Sequence, residues 1–165
     1  MDWAYLHIVI NHFPIVGVII GSLLLVAGLI FKNPGVNLSG LGTIVFAMFT
    51  AILAYQTGNP AEDAVKGIPE AAESLINRHE DIATVGMYLM IPAGLMAALS
   101  IYSIWKKERS VHFLIIITLV LSLISSGVMV YVGQTGGQIR HSEFRDYNMK
   151  HKISEFQNDK IDQDD

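Results

Sequence analysis

The sequence predicts an all-α membrane protein, a bundle of four transmembrane helices with both termini on the same side. Of its 165 residues, 52% are hydrophobic and only 16% are charged, whereas about a quarter of the residues of a soluble domain are charged. The charges also avoid four long apolar stretches. Each stretch has roughly the 20 apolar residues that a helix needs to cross a bilayer, and a helix satisfies its own backbone hydrogen bonds in lipid. The predicted spans are residues 5–31, 38–55, 82–105 and 111–132.

Turn-forming and polar residues mark the ends of these spans. Turn-forming segments with Asn, Pro and Gly follow the first two spans, at 32–35 and 58–60; the charged segment 106–109 follows the third, and the fourth runs into Gly133, Gly136 and Gly137. We expect Asn37 or Ser39 to cap the second helix. Pro14 should loosen the first helix beside His12, because it cannot donate to the carbonyl of Ile10. Residues 1–141 then form the bundle, and 142–165 form a polar tail.

An even number of spans returns the chain to its starting side. We call this side the histidine face; it carries the N-terminus, the loop 56–81 with a short helix expected from Pro69, and the tail. The opposite side, the hairpin face, carries the two short loops around Lys32 and 106–109. These loops are basic, so the positive-inside rule places the hairpin face in the cytoplasm, although the tail is basic too. The predicted location is the bacterial cytoplasmic (inner) membrane, multi-pass, with periplasmic termini.

Composition excludes several functions. The net charge of -4 argues against nucleic acid as a partner, because such binding needs a basic surface. The absence of cysteine excludes disulfides, iron–sulfur clusters and covalent c-type haem. Ser125 and Ser126 lie in mid-membrane with no base nearby, so we interpret them as packing residues or hydroxyls bonded to their own helix. A hydrolytic enzyme is therefore not indicated.

The histidines are the candidate ligands. Four of the six gather on the histidine face: His7 and His12 in the first turns of helix 1, His79 just before the third span, and His141 beyond the fourth. Ionisable residues at membrane depth are costly and tend to mark function. At 1.5 Å per residue, His7, His79 and His141 can share one layer, with His12 beneath it. Because His7 and His12 are five residues apart, their side chains point about 140° apart around the helix axis, so each is suited to contact a different group.

Glycines and arginines accompany these histidines. Helices 2 and 4 end in the same Gln-Thr-Gly, at 56–58 and 134–136, which hints at a duplicated helix pair. Glycine lets a backbone approach a flat ring closely, so Gly136 and Gly137 are predicted to border a cofactor. Arg78 and Arg140 adjoin His79 and His141 and are predicted to pair with carboxylates of that cofactor.

The segment 7–15, His-Ile-Val-Ile-Asn-His-Phe-Pro-Ile, resembles the opening of a family of uncharacterised four-helix bacterial membrane domains. That family also has a histidine at the start of helix 3 and a Gly-Gly motif followed by a histidine after helix 4. These elements correspond here to His79 and to 136–141. The resemblance covers about residues 5–145, and Ile8 stands where the family often has proline. It implies a b-type cytochrome.

The leading hypothesis is a cytochrome b-like electron-transfer subunit rather than a stand-alone enzyme. It would hold one or two haem b by bis-histidine ligation near one membrane face. His12 or His7 would ligate from helix 1 and His79 from across the bundle; His141 is the next candidate, and all four could hold two haems. Expected partners are the lipid bilayer, quinone, and a redox partner protein or larger membrane complex.

Two alternatives remain open. The histidines could hold zinc or copper in a metal-binding protein or transporter, with Glu80 and Asp81 as further zinc ligands. The absence of charged residues from the middle of every span argues against transport. The chain could also be a structural subunit of a membrane complex. Iron in the purified protein, without zinc or copper, separates the first hypothesis from these two.

Overall fold

The computed structural model describes residues 2–65 and 73–140, and within them every regular element is helical. Within these residues, four helical segments are long and apolar enough to cross a membrane. Span 1 consists of two consecutive helices, and spans 2, 3 and 4 are one helix each. The five helices are α1 (Trp3–Ile10) and α2 (His12–Ile30) in span 1, α3 (Pro34–Val65), α4 (Glu73–Lys106) and α5 (Val111–Arg140). The predicted fold class is confirmed.

Span 1 is interrupted at Asn11, directly before His12. Pro14 has no N–H to donate to the carbonyl of Ile10, so the hydrogen-bond ladder weakens at this turn. The predicted loosening beside His12 is confirmed. At the start of the span, Asp2 caps α1 by accepting from the backbone N–H groups of Ala4 (3.0 Å) and Tyr5 (3.3 Å).

The two loops of the hairpin face have the same construction. Lys32 (φ 51°) and Lys107 (φ 56°) adopt the left-handed conformation directly after spans 1 and 3. The N–H of the following residue then bonds back into the helix, from Asn33 to Gly28 (2.9 Å) and from Glu108 to Ser103 (3.0 Å). This is the Schellman arrangement, which satisfies carbonyls at a helix end.

The predicted start of the second helix is wrong. Asn33 is the cap, because its Oδ1 accepts from the N–H groups of Gly35 (2.9 Å) and Val36 (3.2 Å). Pro34 then occupies the first helical position, where its missing N–H costs nothing. Asn37 and Ser39 lie inside the helix instead.

Three of the helices run past their predicted ends on the histidine face. Helix α3 continues through Pro60, which removes a single bond to the Gln56 carbonyl near the end of the helix, and α5 continues through its glycines to Arg140. Helix α4 begins at Glu73, so His79 lies inside it rather than just before it. Polar residues form helix readily outside the hydrocarbon, and hydropathy does not register them. The helix expected from Pro69 and the tail 142–165 fall outside the described residues.

The four spans form a ring in which each packs on the next and span 4 closes against span 1. Large apolar side chains such as Leu23, Phe49 and Leu95 point outward, as lipid-facing residues do. Small residues line the helix contacts. A Cβ added at Gly17 would lie 3.1 Å from Ala47 Cβ, and one added at Gly86 would lie 3.0 Å from Met129 Sδ. Such contacts let helix backbones approach closely.

Hydroxyl groups cross the middle of the bundle. Ser22 of α2 donates to Ser122 of α5 over 2.8 Å, and Ser100 of α4 lies 3.1 Å from Thr118 of α5. Ser125 and Ser126 donate to the carbonyls of Leu121 and Ser122 in their own helix, each over 2.8 Å. The interpretation of these two serines as back-bonded hydroxyls is confirmed.

Gly94 provides a test of this packing. A Cβ at Gly94 would collide with the Cβ of Met48 on α3, and that atom cannot move without its backbone, whereas a Cβ at Gly127 would meet nothing within 4 Å. We expect Gly94→Ala to lower the free energy of unfolding by about 1–3 kcal/mol. Gly127→Ala should leave it unchanged or raise it by about 0.5–1 kcal/mol through helix propensity. Unfolding of both variants in detergent, followed by circular dichroism, measures the difference; equal effects would contradict the observed contact.

Candidate functional site

His7 lies in α1 and hydrogen-bonds to α3 on the histidine face; we call such a contact a histidine clasp. Its Nδ1 lies 3.0 Å from the carbonyl oxygen of Ala54 and 3.1 Å from Oγ1 of Thr57. The ring is partly buried, and Thr57 is buried. The imidazole is thus attached to the neighbouring helix through one nitrogen.

The hydrogen bonds of Thr57 assign the tautomer of His7. The Thr57 hydroxyl has one proton, and it faces carbonyls of its own helix, those of Leu53 (3.1 Å) and Ala54 (2.9 Å). The threonine oxygen is therefore an acceptor toward His7, and the Ala54 carbonyl can only accept. Nδ1 of His7 must carry the proton in the neutral ring, which leaves Nε2 with an unshared lone pair.

His79 repeats this arrangement between α4 and α5. Its Nδ1 lies 3.0 Å from Oγ1 of Thr135, and the Thr135 hydroxyl donates to the carbonyl of Val132 over 2.9 Å. The Thr135 proton is thus directed at its own helix, as that of Thr57 is. The same argument assigns the proton to Nδ1 and the lone pair to Nε2.

The clasps of His7 and His79 occupy equivalent places in two similar helical hairpins. The first hairpin consists of spans 1 and 2, and the second consists of spans 3 and 4. Lys32 follows His7 by 25 residues and precedes Thr57 by 25; Lys107 follows His79 by 28 residues and precedes Thr135 by 28. Each histidine and its threonine are therefore equally far from the left-handed lysine of their loop. Both threonines are the central residue of the repeated Gln-Thr-Gly. The hinted duplication thus extends to the loops and to the histidine contacts.

The two histidines lie near each other across the bundle, close enough for a charge on His7 to act on His79. Glycine adjoins each ring. A Cβ added at Gly58 would lie 3.9 Å from Cε1 of His7, and one added at Gly136 would lie 3.0 Å from Cε1 of His79. Asn11, one helical turn beyond His7, has a buried Oδ1 without a hydrogen-bond partner among the described residues. A bound polar group can satisfy such an atom.

His12 does not join this pair. It is exposed, and its Nδ1 lies 2.7 Å from the carbonyl of Ile8 in the preceding turn. With Phe13 and Phe46, it lines an apolar groove of about 360 Å³ on the outer surface, between spans 1 and 2. Of the two ligands considered for helix 1, the structure brings His7 toward His79.

The remaining predicted site residues lie as follows. Arg78 donates a hydrogen bond to the Tyr131 hydroxyl, and its guanidinium lies 5.7 Å from the centre of that ring. A Cβ at Gly137 would meet nothing within 4 Å, so this glycine does not border His79. His141 and the side chain of Arg140 fall outside the described residues. Glu80 and Asp81 are exposed. Within residues 2–64 and 73–139, no three His, Cys, Asp or Glu side chains are grouped to hold a metal ion.

The contacts of Thr57 and Thr135 with the histidines were not predicted from the sequence. The Gln-Thr-Gly repeat is visible there, but its glycines, rather than its threonines, indicate a cofactor site. Each threonine is as far in sequence from the lysine of its loop as the histidine that it contacts. This spacing identifies the threonine only once the structure has shown which lysines are left-handed.

Comparisons of the chain with protein-family models, with curated proteins and with solved structures gave no match. The site is therefore interpreted from its own chemistry.

The tautomer assignment can be tested by ¹⁵N NMR of histidine-labelled protein in detergent. The wild-type protein should show Nδ1 protonated and Nε2 unprotonated at both His7 and His79. Thr135→Val removes the oxygen that accepts from Nδ1–H of His79, a hydrogen bond worth about 1 kcal/mol. The ratio of the Nδ1-protonated to the Nε2-protonated tautomer of His79 should therefore fall about fivefold, while that of His7 is unchanged. Thr57→Val should do the converse.

Thr43→Val is the matched control, because the Thr43 hydroxyl bonds only to the carbonyl of Ser39 in its own helix. It should change neither histidine. Protonation of Nε2 in the wild-type protein would contradict the assignment.

Proposed function

We propose that the protein is a cytochrome b-like electron-transfer subunit, in which His7 and His79 would hold a haem b near the histidine face. One observation carries the proposal. Both imidazoles use Nδ1–H to bond a threonine of the neighbouring helix, His7 bonds the Ala54 carbonyl as well, and both keep the lone pair of Nε2. Histidines that ligate metals almost always donate their other ring N–H to a fixed acceptor such as a carboxylate, a backbone carbonyl or water; here threonine oxygens take that role, together with the Ala54 carbonyl at His7.

The donor set suits haem better than zinc. Zinc sites draw three or four ligands from the protein, whereas a haem iron, held by the macrocycle, takes only its axial ligands from the chain. The described residues supply two imidazoles and group no larger set of metal-binding side chains. Two neutral imidazoles on opposite sides of a bundle fit bis-histidine ligation.

The surrounding residues have distinct roles in this proposal. Thr57 and Thr135 hold each ring in the ligating tautomer and raise the basicity of Nε2. Gly136 gives the ring of His79 the space that it occupies. A bound haem would supply the one-electron chemistry, and the low polarity of the bundle around it would tune its reduction potential. Arg78, whose side chain is exposed beside His79, can pair with a propionate.

The groove at His12 supports quinone as the electron partner within the membrane. It opens to the lipid-facing surface, and apart from His12 and Thr43 its lining residues are apolar. Since Nδ1 of His12 is bonded to the Ile8 carbonyl, Nε2 is available to accept a hydrogen bond from a quinol hydroxyl. A redox protein or larger complex at the histidine face would be the other partner. We place that face in the periplasm of a bacterial inner membrane, following the positive-inside rule.

The first test is a reduced-minus-oxidised absorption spectrum of detergent-purified protein made with ample haem, with a pyridine haemochrome assay for stoichiometry. We expect a sharp b-type signal that His7→Ala and His79→Ala each abolish. The matched controls His12→Ala and His112→Ala change exposed histidines on span 1 and on the hairpin face, and they should retain the signal.

A flat wild-type spectrum would refute the proposed function, and metal analysis would then test zinc and copper. Loss of the signal in His12→Ala, with His7→Ala unaffected, would move the ligand on helix 1 to His12 and leave the cytochrome assignment intact.

A second test uses two neighbouring glycines. Gly136→Ala places a methyl group 3.0 Å from Cε1 of His79, whereas Gly137→Ala meets nothing within 4 Å. We expect Gly136→Ala to tilt the His79 ring and reduce the low-spin haem content at least several-fold, because ligand geometry sets the strength of binding. Gly137→Ala should bind haem as the wild-type protein does. Equal haem binding by both variants would show that His79 is not a ligand in the observed orientation.

A further inference from the structure

A cavity of about 460 Å³ opens on the hairpin face, at the end of the molecule opposite His7 and His79. It lies between the two hairpins, where the loop after span 1 meets the end of span 3 and the start of span 4. Lys32 and Asn37 line it from the first hairpin, and Ile104, Arg109 and His112 line it from the second. The proposed haem site makes no use of this cavity.

The polar rim of the cavity attracts anions. Lys32, Arg109 and His112 all line it, and none of its ten lining residues is acidic. The nearest acid in the loop, Glu108, is held by its own neighbours, since its Oε2 accepts from the hydroxyls of Ser103 (3.0 Å) and Ser110 (3.2 Å). Two fixed positive charges therefore face one opening without a carboxylate in its walls.

The other walls of the cavity are apolar. Leu29 and Ile104 line it from the ends of spans 1 and 3, and Val111 and Ile115 line it from the start of span 4. Its depth in the membrane is marked by Lys106, whose ammonium lies 4.9 Å from the ring centre of Trp105 and 5.7 Å from that of Tyr102. Trp and Tyr are enriched at the level of the lipid headgroups. The cavity thus joins a cationic rim at headgroup level to an apolar interior.

We propose that this cavity binds an anionic phospholipid, with its phosphate between Lys32 and Arg109 and its acyl chains along the apolar walls. Charge complementarity selects the headgroup, because basic pockets between transmembrane helices bind anionic lipids. A free phosphate would gain nothing from the walls formed by Leu29, Ile104, Val111 and Ile115. Asn37 adds an amide to the same rim. The proposal is independent of haem and of the direction of electron flow.

The test is lipid binding to the detergent-purified full chain, followed by native mass spectrometry. Phosphatidylglycerol and phosphatidylcholine with identical acyl chains are titrated separately, and glycerol phosphate serves as the headgroup without chains. We expect the native chain to bind one phosphatidylglycerol at least tenfold more tightly than phosphatidylcholine, and glycerol phosphate not measurably.

Two double variants locate the binding. Lys32→Gln with Arg109→Gln removes the charges of the cavity and should weaken phosphatidylglycerol binding on the order of tenfold or more. The control, Lys107→Gln with Lys106→Gln, removes two charges from the same face outside the cavity, and Lys107, like Lys32, is left-handed. It should weaken phosphatidylglycerol binding less than about threefold, because screened surface charges act only weakly at a distance.

Three results would overturn the proposal: equal loss in both double variants, equal affinity for the two lipids, or binding of glycerol phosphate as tight as that of the lipid. The comparison of the two lipids uses only the native chain, so it decides the question even if a variant does not fold. No step of the test reads a haem signal, so a failed cytochrome assignment would leave its outcome unaffected.

Discussion

Close approach of neighbouring helix backbones is the constraint on which the rest of this structure depends. Apolar side chains gain little by meeting each other in lipid, so helices associate through van der Waals packing and interhelical hydrogen bonds. Gly17 and Gly86 bring α2 near α3 and α4 near α5. Helices α2 and α5 also pack together, and only at such close range can a side chain as short as serine bond to the next helix, as Ser22 does to Ser122. Packing and polar contacts are therefore two results of one geometry.

The histidine clasps depend on the same geometry. Thr57 and Thr135 are 7% and 3% exposed, and each donates its hydroxyl proton to a carbonyl of its own helix. The threonine oxygen can accept a hydrogen bond from an imidazole N–H because the helix that carries the histidine lies close by. An imidazole N–H without a partner in this environment would cost several kcal/mol. Both rings are consequently held at Nδ1 before any ligand arrives. Under the proposed function, rings held in this way would need little reorganisation to hold a haem at Nε2.

The sequence predicted the bundle well because hydropathy measures the property that lipid selects. It failed at positions where local hydrogen bonds decide. Asn33 rather than Asn37 caps α3, because the left-handed Lys32 ends span 1 early enough for Asn33 to turn its side chain back. Pro60 does not end α3, since a single lost bond near a helix end is tolerated. The histidine cluster was visible in the sequence, but choosing between His7 and His12 required knowing which side of span 1 faces α3.

The two helical hairpins differ in length, and this difference relates the histidine face to the hairpin face. The second hairpin has three more residues than the first between its histidine and its left-handed lysine, which corresponds to about 4.5 Å along each helix. His7 and His79 nevertheless lie near each other, so tilt of the spans or protrusion at the hairpin face must absorb the extra length. Both hairpins contribute to the cavity wall there, the second through Ile104, Arg109, Val111, His112 and Ile115. The cavity therefore lies where two hairpins of unequal length meet, and both its cationic rim (Lys32 and Arg109) and its apolar walls (Leu29 and Ile104) are drawn from the two hairpins together.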